Sequence, residues 1–145
     1  MTSIDISPGA IRPLPLAAAP EVAHYRSPIA EGLDLPFSEA VTVGDLIFLS
    51  GQLGNRPGTP ELVPGGIEAE ARQTMENIGG VLEAVGSSFD RVVKCTIMLA
   101  DIGEWAAFNA VYVTYFERPF PARSAFATGG LALGARVEVE CIARR

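Results

Sequence analysis

The most constraining feature of this sequence is a run near its C-terminal end in which apolar and charged residues alternate strictly. Val137, Val139 and Cys141 alternate with Glu138 and Glu140. A period of two is typical of a β-strand, because successive side chains of a strand point to opposite faces. The alternation therefore predicts a strand with one face on the core and the other face toward water, a partner or a substrate.

A short stretch upstream, residues 120–125, places Arg123 two positions after Pro121. Proline has a fixed φ angle and no amide donor, so it suits the beginning of a strand. Two interpretations are open here. Either the two stretches form a solvated edge hairpin with ordinary surface charges, or they carry a functional site. Because most exposed charges take no part in chemistry, these residues alone favour the hairpin.

The composition limits the class of protein. The chain has 145 residues, of which 48% are hydrophobic and 19% charged, which predicts one domain with a sizeable core. The net charge is −6 and no Lys/Arg cluster occurs, which argues against a nucleic-acid partner. We expect a small chain with so many apolar residues to cover part of its surface in an oligomer.

Cysteine and histidine are scarce. Cys95 and Cys141 both lie in apolar, strand-like runs, and we expect buried, reduced thiols because two cysteines are too few for a disulfide framework. With His24 as the single histidine, no metal site is expected. The N-terminal residues lack a basic segment followed by an unbroken apolar run. We therefore expect no signal peptide, no membrane span and a cytoplasmic location.

The distribution of prolines divides the chain in two. Residues 1–34 contain five prolines and little periodicity, which predicts an irregular N-terminal arm, and residues 35–145 form the predicted domain. That domain begins with a β-hairpin, Ala40–Val43 and residues 46–50, around a Gly-Asp turn. Gly51 ends the second strand, where a glycine permits close approach by a ligand or by another chain.

Two helical segments follow, separated by one strand. Apolar residues recur at steps of three and four over residues 67–85, and Gly86 is the expected end of this helix. Residues 91–100 alternate as a strand, with a predicted dry face of Val93, Cys95, Ile97 and Leu99. The second helix carries an aromatic stripe that we interpret as core, formed by Trp105, Phe108, Tyr112 and Tyr115.

This order of elements predicts an α/β fold. We expect a two-layer sandwich, in which a mixed sheet carries two helices on one face. The other face of the sheet, with Glu138 and Glu140, is then uncovered, and a symmetric oligomer would cover it.

Several short motifs occur in a fixed order between residues 35 and 143. They include Pro36-Phe37-Ser38-Glu39-Ala40-Val41, Ser50-Gly51-Gln52, Thr74-Met75-Glu76-Asn77, Phe108-Asn109-Ala110-Val111-Tyr112, Pro121-Ala122-Arg123-Ser124-Ala125 and Val137-Glu138-Val139-Glu140. Through these motifs, roughly three quarters of the chain resembles the RidA/YjgF family of reactive-intermediate deaminases, which older descriptions call endoribonucleases.

The resemblance implies a chorismate-mutase-like fold and a homotrimer with active sites in the clefts between subunits. It also implies cofactor-free hydrolysis of enamines and imines, such as 2-aminoacrylate and 2-iminopropionate, to 2-oxo acids and ammonia. Arg123 matches the arginine that binds the substrate carboxylate, and Glu138 matches the acid that activates water. Gly51 and Asn109 match positions that line the cleft, and Ala125 matches the position whose backbone amide helps to hold the carboxylate.

Two residues depart from the family pattern. Phe37 stands where many members have tyrosine, so the predicted substrate site lacks a phenolic hydroxyl and the preferred substrate is open. Glu39 stands where glutamine is frequent.

These residue types suit the implied chemistry. Arginine can bind a carboxylate through two parallel N–H bonds. Imine hydrolysis further needs one oriented water and a base, a role that suits a carboxylate with a raised pKa in a partly dry cleft. Two alternatives for single residues stay open, namely that Glu138 forms an ion pair between subunits and that Glu140 is the acting acid.

Two alternatives also concern the whole chain. A non-catalytic ligand-binding or chaperone-like trimer would need the arginine but not the base. A ribonuclease is disfavoured, because the chain is acidic and has no basic groove.

Overall fold

The computed structural model describes residues 18–145, which form seven strands and three α-helices. The strands are β1 Val22–Tyr25, β2 Ala40–Val43, β3 Leu46–Leu49, β4 Gln52–Leu53, β5 Val92–Leu99, β6 Ala122–Ala127 and β7 Val137–Arg144. The helices are α1 Pro28–Gly32, α2 Gly66–Ala84 and α3 Trp105–Tyr112.

All seven strands belong to one mixed sheet with the order β1-β2-β3-β7-β5-β6. Among these strands, β5 and β6 form the single parallel pair. β3 and β4 pair one after the other with the same edge of β7, β3 with its C-terminal part and β4 with its N-terminal part. The predicted hairpin of β2 and β3 is confirmed. The edge-hairpin interpretation of β6 and β7 is wrong, because β5 lies between them and β7 is an interior strand.

Both long helices pack on the same face of this sheet. One continuous cluster of buried residues joins the inward side chains of β3, β5 and β7 to the apolar faces of α2 and α3. Its members include Ile47, Met75, Ile78, Leu82, Cys95, Ile97, Phe108, Val137 and Val139. The predicted arrangement, a mixed sheet with two helices on one face, is therefore confirmed for the single chain.

The helix predicted over residues 67–85 is α2, and it ends as expected. Gly86 adopts φ +80°, a conformation that favours glycine, and its amide donates to the carbonyl of Glu83 at 3.1 Å. The next amide, of Ser87, donates to Leu82 at 2.8 Å, which completes a Schellman motif. α2 therefore ends where the sequence predicts a glycine cap.

The strand predicted over residues 91–100 is confirmed as β5, Val92–Leu99, but its predicted dry face is wrong at one residue. A register irregularity between Val92 and Lys94 interrupts the pairing with β7. The strand changes phase there, so Val92 is buried and Val93 is 41% exposed. The remaining residues of the predicted dry face, Cys95, Ile97 and Leu99, are buried. A bulge of this kind leaves no mark in an apolar sequence pattern.

The prediction of an irregular arm is wrong for residues 22–32. β1 pairs antiparallel with β2, and Ser27 caps α1 by accepting a hydrogen bond from the amide of Ala30 at 3.2 Å. Pro28 lies in the first turn of α1, where its missing amide costs no helical hydrogen bond. Residues 1–17 of the predicted arm lie outside the described residues, and the boundary at residue 35 stays a prediction.

The prediction of two reduced thiols is also wrong, because Cys95 and Cys141 form a disulfide. The two residues are 46 positions apart in sequence but directly opposite each other on the antiparallel strands β5 and β7. Both side chains lie in the core, at 0% and 2% exposure. The pairing depends on strand order, which cysteine counting does not reveal.

Within residues 18–145, the face of the sheet away from the two long helices is left uncovered. Leu46, Phe48 and Phe126 lie on this face and are between 41% and 47% exposed. Glu138 and Glu140 of β7 belong to the same face. Among the helices of residues 18–145, none is both long and apolar enough to cross a membrane.

The disulfide can be tested by counting thiols. We expect the denatured, non-reduced protein to react with no equivalent of an alkylating reagent, and the reduced protein to react with two, as mass spectrometry would measure. Because the bond closes a long loop, reduction should lower the free energy of unfolding by about 2–4 kcal/mol in urea titrations. A Cys95→Ala/Cys141→Ala variant is the control, since reductant should not change its stability. Two reactive thiols in the non-reduced protein would contradict the bond.

Candidate active site

Arg123 lies on β6, directly opposite Cys95 of β5, so its side chain points to the helix face of the sheet. There its Nη1 donates a hydrogen bond to Oδ1 of Asn109 at 2.6 Å. Its guanidinium carbon lies 4.9 Å from the ring centroid of Tyr112 and 5.6 Å from that of Trp105. The arginine is thus held by one hydrogen bond and two cation–π contacts.

All three partners of Arg123 lie on the helix α3, and their spacing places them on the same face. Trp105, Asn109 and Tyr112 stand at positions i, i+4 and i+7 of α3, which places them on one helical face. The predicted aromatic stripe is core at Phe108 and Tyr112, which are 0% and 3% exposed. The interpretation is wrong for Trp105, which is 42% exposed beside Arg123.

Glu138 lies on β7 between Val137 and Val139, which are both fully buried in the core. Its carboxyl group therefore points to the opposite, uncovered face of the sheet. A Cβ atom at Gly51 would lie 1.9 Å from Oε1 of Glu138, so a side chain at this position would displace the carboxyl group of Glu138. Within the chain, the group that approaches Gly51 closely is this side chain, whereas the sequence suggested a ligand or another chain.

Burial raises the pKa of Glu138 above its ordinary value, and the nearby negative charge of Glu140 raises it further. Both causes disfavour the ionised carboxylate. A raised pKa is the property that a carboxylate needs in order to act as a base near neutral pH. It is also a frequent feature of functional sites.

Phe37 and Ala125 complete the set of sequence-predicted site residues. Phe37 is 48% exposed just before β2, next to Ser38, whose carbonyl accepts a hydrogen bond from the hydroxyl of Ser50 at 2.6 Å. That bond ties the Phe37 segment to the strand end at Gly51. Ala125 follows Arg123 by two positions on β6 and packs against the core.

The structure brings the predicted residues together as two groups. Arg123 and Asn109 are in direct contact on the helix face, with Ala125 on the same side of β6. Glu138 and Gly51 are in contact at the uncovered face. Because the sheet separates the two groups, one chain alone does not join the arginine to the glutamate.

Two residues near these groups are not apparent as site residues in the sequence. Trp105 and Tyr112 look like core positions, although their spacing from Asn109 would have been a signal. Burial raises the pKa of Tyr112, and the positive charge of Arg123 partly opposes this shift. The rings of Trp105 and Tyr112 therefore give the guanidinium of Arg123 a largely aromatic environment.

Glu70 of α2 is a third residue with no signal in the sequence. It is 6% exposed, and its Oε2 accepts a hydrogen bond from the backbone amide of Arg136 at 2.8 Å. A Cβ atom at Gly54 would lie 2.7 Å from the backbone of Glu70, so the chain after β4 packs closely on the helix. Glu70 thus anchors the beginning of the strand that carries Glu138.

Within the part of the chain that the structure describes, no group of three or more His, Cys, Asp or Glu side chains could hold a metal ion. The chemistry that the two groups of residues offer is that of a fixed cation and a partly desolvated carboxylate.

Comparison with known proteins gives a consistent match over most of the chain. A protein family model described as Endoribonuclease L-PSP matches residues 30–145. A goat protein named 2-iminobutanoate/2-iminopropanoate deaminase is 48% identical over 122 residues, which cover 84% of this chain and 87% of the goat protein.

Solved structures agree with this match. RidA from an Antarctic Psychrobacter species superposes with a TM-score of 0.73 at 40% identity, over 77% of this chain and 90% of that chain. A protein of the conserved Rid family from Yersinia pestis superposes with a TM-score of 0.80 at 34% identity, covering 86% of this chain and 100% of that chain.

The electrostatics of Glu138 can be measured directly. We expect a carboxyl titration followed by NMR to give Glu138 a pKa above that of an ordinary glutamate. Glu140→Gln should lower that pKa, because it removes the like charge while the burial remains. Glu68→Gln, at an exposed site on α2, is the control and should leave it unchanged. An ordinary pKa in the wild-type protein would contradict the described environment.

Proposed function

We propose that this chain, which belongs to the Rid family described as Endoribonuclease L-PSP, is a hydrolytic deaminase of reactive enamines and imines. Its substrates are 2-aminoacrylate, 2-iminopropionate and related 2-imino acids. The observation that carries the proposal is the combination of an arginine fixed by Asn109 with a glutamate of raised pKa. The name of the 48% identical goat relative supports the same reaction class.

The reaction adds water across the C=N bond and then releases ammonia. A protonated 2-imino acid, R–C(=NH2+)–COO−, and one water give R–CO–COO− and NH4+. A C–O bond forms, the C–N bond breaks, and no electrons are transferred to another molecule. The protein therefore has to bind the carboxylate, orient the water and move a proton.

Arg123 is the proposed carboxylate ligand. Asn109 uses one of the five N–H donors of the guanidinium, and this fixes the plane of the fork. A carboxylate can then bind in that plane through two parallel N–H bonds, which sets the position of the imine carbon. The backbone amide of Ala125 is the proposed additional donor to the carboxylate.

Glu138 is the proposed base. Its raised pKa allows it to take a proton from water as the oxygen attacks the imine carbon, and to return it to the departing nitrogen. The proposed role of Gly51 is to leave room for this carboxyl group and to line the cleft. Phe37, exposed next to the same strand end, is the proposed apolar wall of the substrate site.

We further propose a homotrimer with a chorismate-mutase-like arrangement and sites between subunits. Arg123 and Glu138 lie on opposite faces of one sheet, so an arginine of one subunit has to meet a glutamate of the next. The exposed apolar residues Leu46, Phe48 and Phe126 support burial of the uncovered face in such an assembly. A cyclic arrangement joins two different surfaces at each contact and so repeats this site at every interface.

A non-catalytic binding or chaperone-like trimer is the alternative, and it would use Arg123 without Glu138. The raised pKa of Glu138 favours the enzyme, because a binding site for an anion gains nothing from a second carboxylate. The ribonuclease in the family's description is disfavoured by the net charge of −6. A test for RNA cleavage on the same purified sample separates the two activities.

The cytoplasm stays the predicted location. One Arabidopsis relative, 41% identical over 84% of this chain, is named a chloroplastic Reactive Intermediate Deaminase A. Disulfides such as Cys95–Cys141 are more frequent in oxidising compartments. Counting the free thiols of protein taken directly from cells would show whether the disulfide forms in the compartment where the protein resides.

The role of Glu138 predicts a loss of rate with little loss of binding. Glu138→Gln should lower kcat for ammonia release about a hundredfold or more and leave KM nearly unchanged, because the shape is kept and the base is lost. In the wild type, the rate should rise with pH as Glu138 loses its proton. Glu140→Gln should move that rise to lower pH without abolishing activity. If Glu140→Gln removes activity and Glu138→Gln does not, the assignment of the acid is wrong.

The site between subunits predicts complementation by mixing two inactive variants. Arg123→Lys should be severely impaired, because lysine lacks the planar fork. Mixed with Glu138→Gln in equal amounts, it should form trimers in which about one quarter of the interfaces carry both native residues, and activity should recover to about that fraction. Light scattering should first give three times the chain mass of 15.3 kDa.

The control for this experiment is a mixture of Arg123→Lys with Arg123→Ala, in which no interface carries a native arginine. Its activity should stay at the level of the single variants. Mixed trimers, identified by mass, that show no recovery with Glu138→Gln would contradict a site shared between subunits. A monomer in light scattering would contradict the trimer itself.

A further inference from the structure

We propose that Trp105 is a specificity-determining residue, whose exposed indole forms the wall beside Arg123 and receives the apolar side chain of the substrate. This inference rests on the proposed function and adds a substrate class to it. The favoured substrates are 2-imino acids with a branched or aromatic side chain rather than those with a single methyl group.

The first observation is the unequal exposure of the two rings at Arg123. Tyr112 lies 4.9 Å from the guanidinium and is 3% exposed, so it supports the arginine from within the core. Trp105 lies 5.6 Å from the guanidinium and is 42% exposed. The indole is therefore the aromatic surface that a ligand on Arg123 can still contact.

The second observation is the position of Trp105 on its helix. The neighbouring apolar residues of α3 that face the sheet, Phe108 and Val111, are buried, and Trp105 lies in the first turn, outside this core. Packing within residues 18–145 thus leaves 42% of the surface of Trp105 uncovered. A large aromatic residue that is left accessible beside a fixed cation is a frequent component of ligand sites.

Geometry then limits which part of the ligand meets the indole. Asn109 orients the guanidinium, so a carboxylate that binds to Arg123 has its C2 atom a few ångströms from the fork. The side chain of a 2-imino acid begins at C3, the next atom. An indole centred 5.6 Å from the guanidinium carbon is within reach of that side chain. Longer apolar side chains bury more of the indole and gain more binding energy.

A purely supporting role for Trp105 makes a different prediction. If the indole only holds Arg123 through the cation–π contact, its removal weakens carboxylate binding for every substrate equally. If the indole contacts the substrate side chain, its removal changes the ratio between large and small substrates. The ratio of kcat/KM values therefore separates the two roles.

The experiment compares ammonia release from imines generated from leucine and from alanine by an amino-acid oxidase. Trp105→Ala should lower kcat/KM for the leucine-derived imine at least about tenfold more than kcat/KM for the alanine-derived imine, because both imines lose the support of Arg123 and only the larger one also loses its apolar contact. Trp105→Phe should restore most of the loss, because an aromatic wall remains. Val113→Ala, at a similarly exposed residue after α3, is the matched control and should leave both values unchanged. Equal losses for both substrates, or no loss, would overturn the proposal.

A second readout needs no turnover and leaves Trp105 in place, because Trp105 is the single tryptophan of the chain. Titration of the wild type with 4-methyl-2-oxopentanoate should change the tryptophan fluorescence and saturate at lower concentration than titration with pyruvate. Arg123→Lys should abolish or strongly weaken both responses. Fluorescence that does not respond to either oxo acid, at concentrations where calorimetry detects binding, would overturn the contact.

The two readouts keep this inference separate from the proposed function. A wild type that binds 4-methyl-2-oxopentanoate with a fluorescence change but releases no ammonia would contradict the deaminase activity. It would support the contact between Trp105 and the side chain of the ligand. A wild type that releases ammonia with the same ratio of kcat/KM between the leucine- and alanine-derived imines as Trp105→Ala would support the deaminase activity. It would contradict the contact between Trp105 and the substrate side chain.

Discussion

The position of β7 inside the sheet is the constraint on which the rest of this structure depends. Pairing with β3 and β4 on one side and with β5 on the other fixes the register of the strand. Register in turn decides which side chains enter the core, since a slip by one residue would exchange the two faces. Val137 and Val139 are therefore fully buried, and Glu138 between them is held at the opposite face.

The packing around β7 holds Glu138 in place. The buried carboxylate of Glu70 accepts from the amide of Arg136 at the beginning of the strand. The absence of a side chain at Gly51 lets the carboxyl group of Glu138 rest against the neighbouring strand end. The same burial that confines the carboxyl group of Glu138 also raises its pKa, so the packing of this residue and its acid–base chemistry have one physical cause.

Arg123 depends on a different part of the fold. Its guanidinium is fixed by α3, through one amide oxygen and two aromatic rings, and it lies on the helix side of the sheet. The sheet therefore keeps the strongest fixed cation of the site apart from the carboxylate within one chain. Close approach of the two charges inside one chain would favour the ionised form of Glu138 and so lower its pKa. In the proposed trimer the substrate, which carries its own carboxylate, lies between them.

The amino-acid sequence by itself determined the elements whose signals are local. The hairpin of β2 and β3, the helix that ends at Gly86 and the alternation of β7 follow from turn residues and periodicity over a few positions. Arg123, Asn109 and Glu138 could also be selected from the sequence, because their motifs resemble a known family. The tertiary structure alone decided the disulfide between Cys95 and Cys141, the bulge that exposes Val93, the addition of β1 to the sheet and the accessible indole of Trp105. Each of these depends on contacts between residues far apart in the chain, or on which side of an element its neighbours cover, and neither property is written in local periodicity.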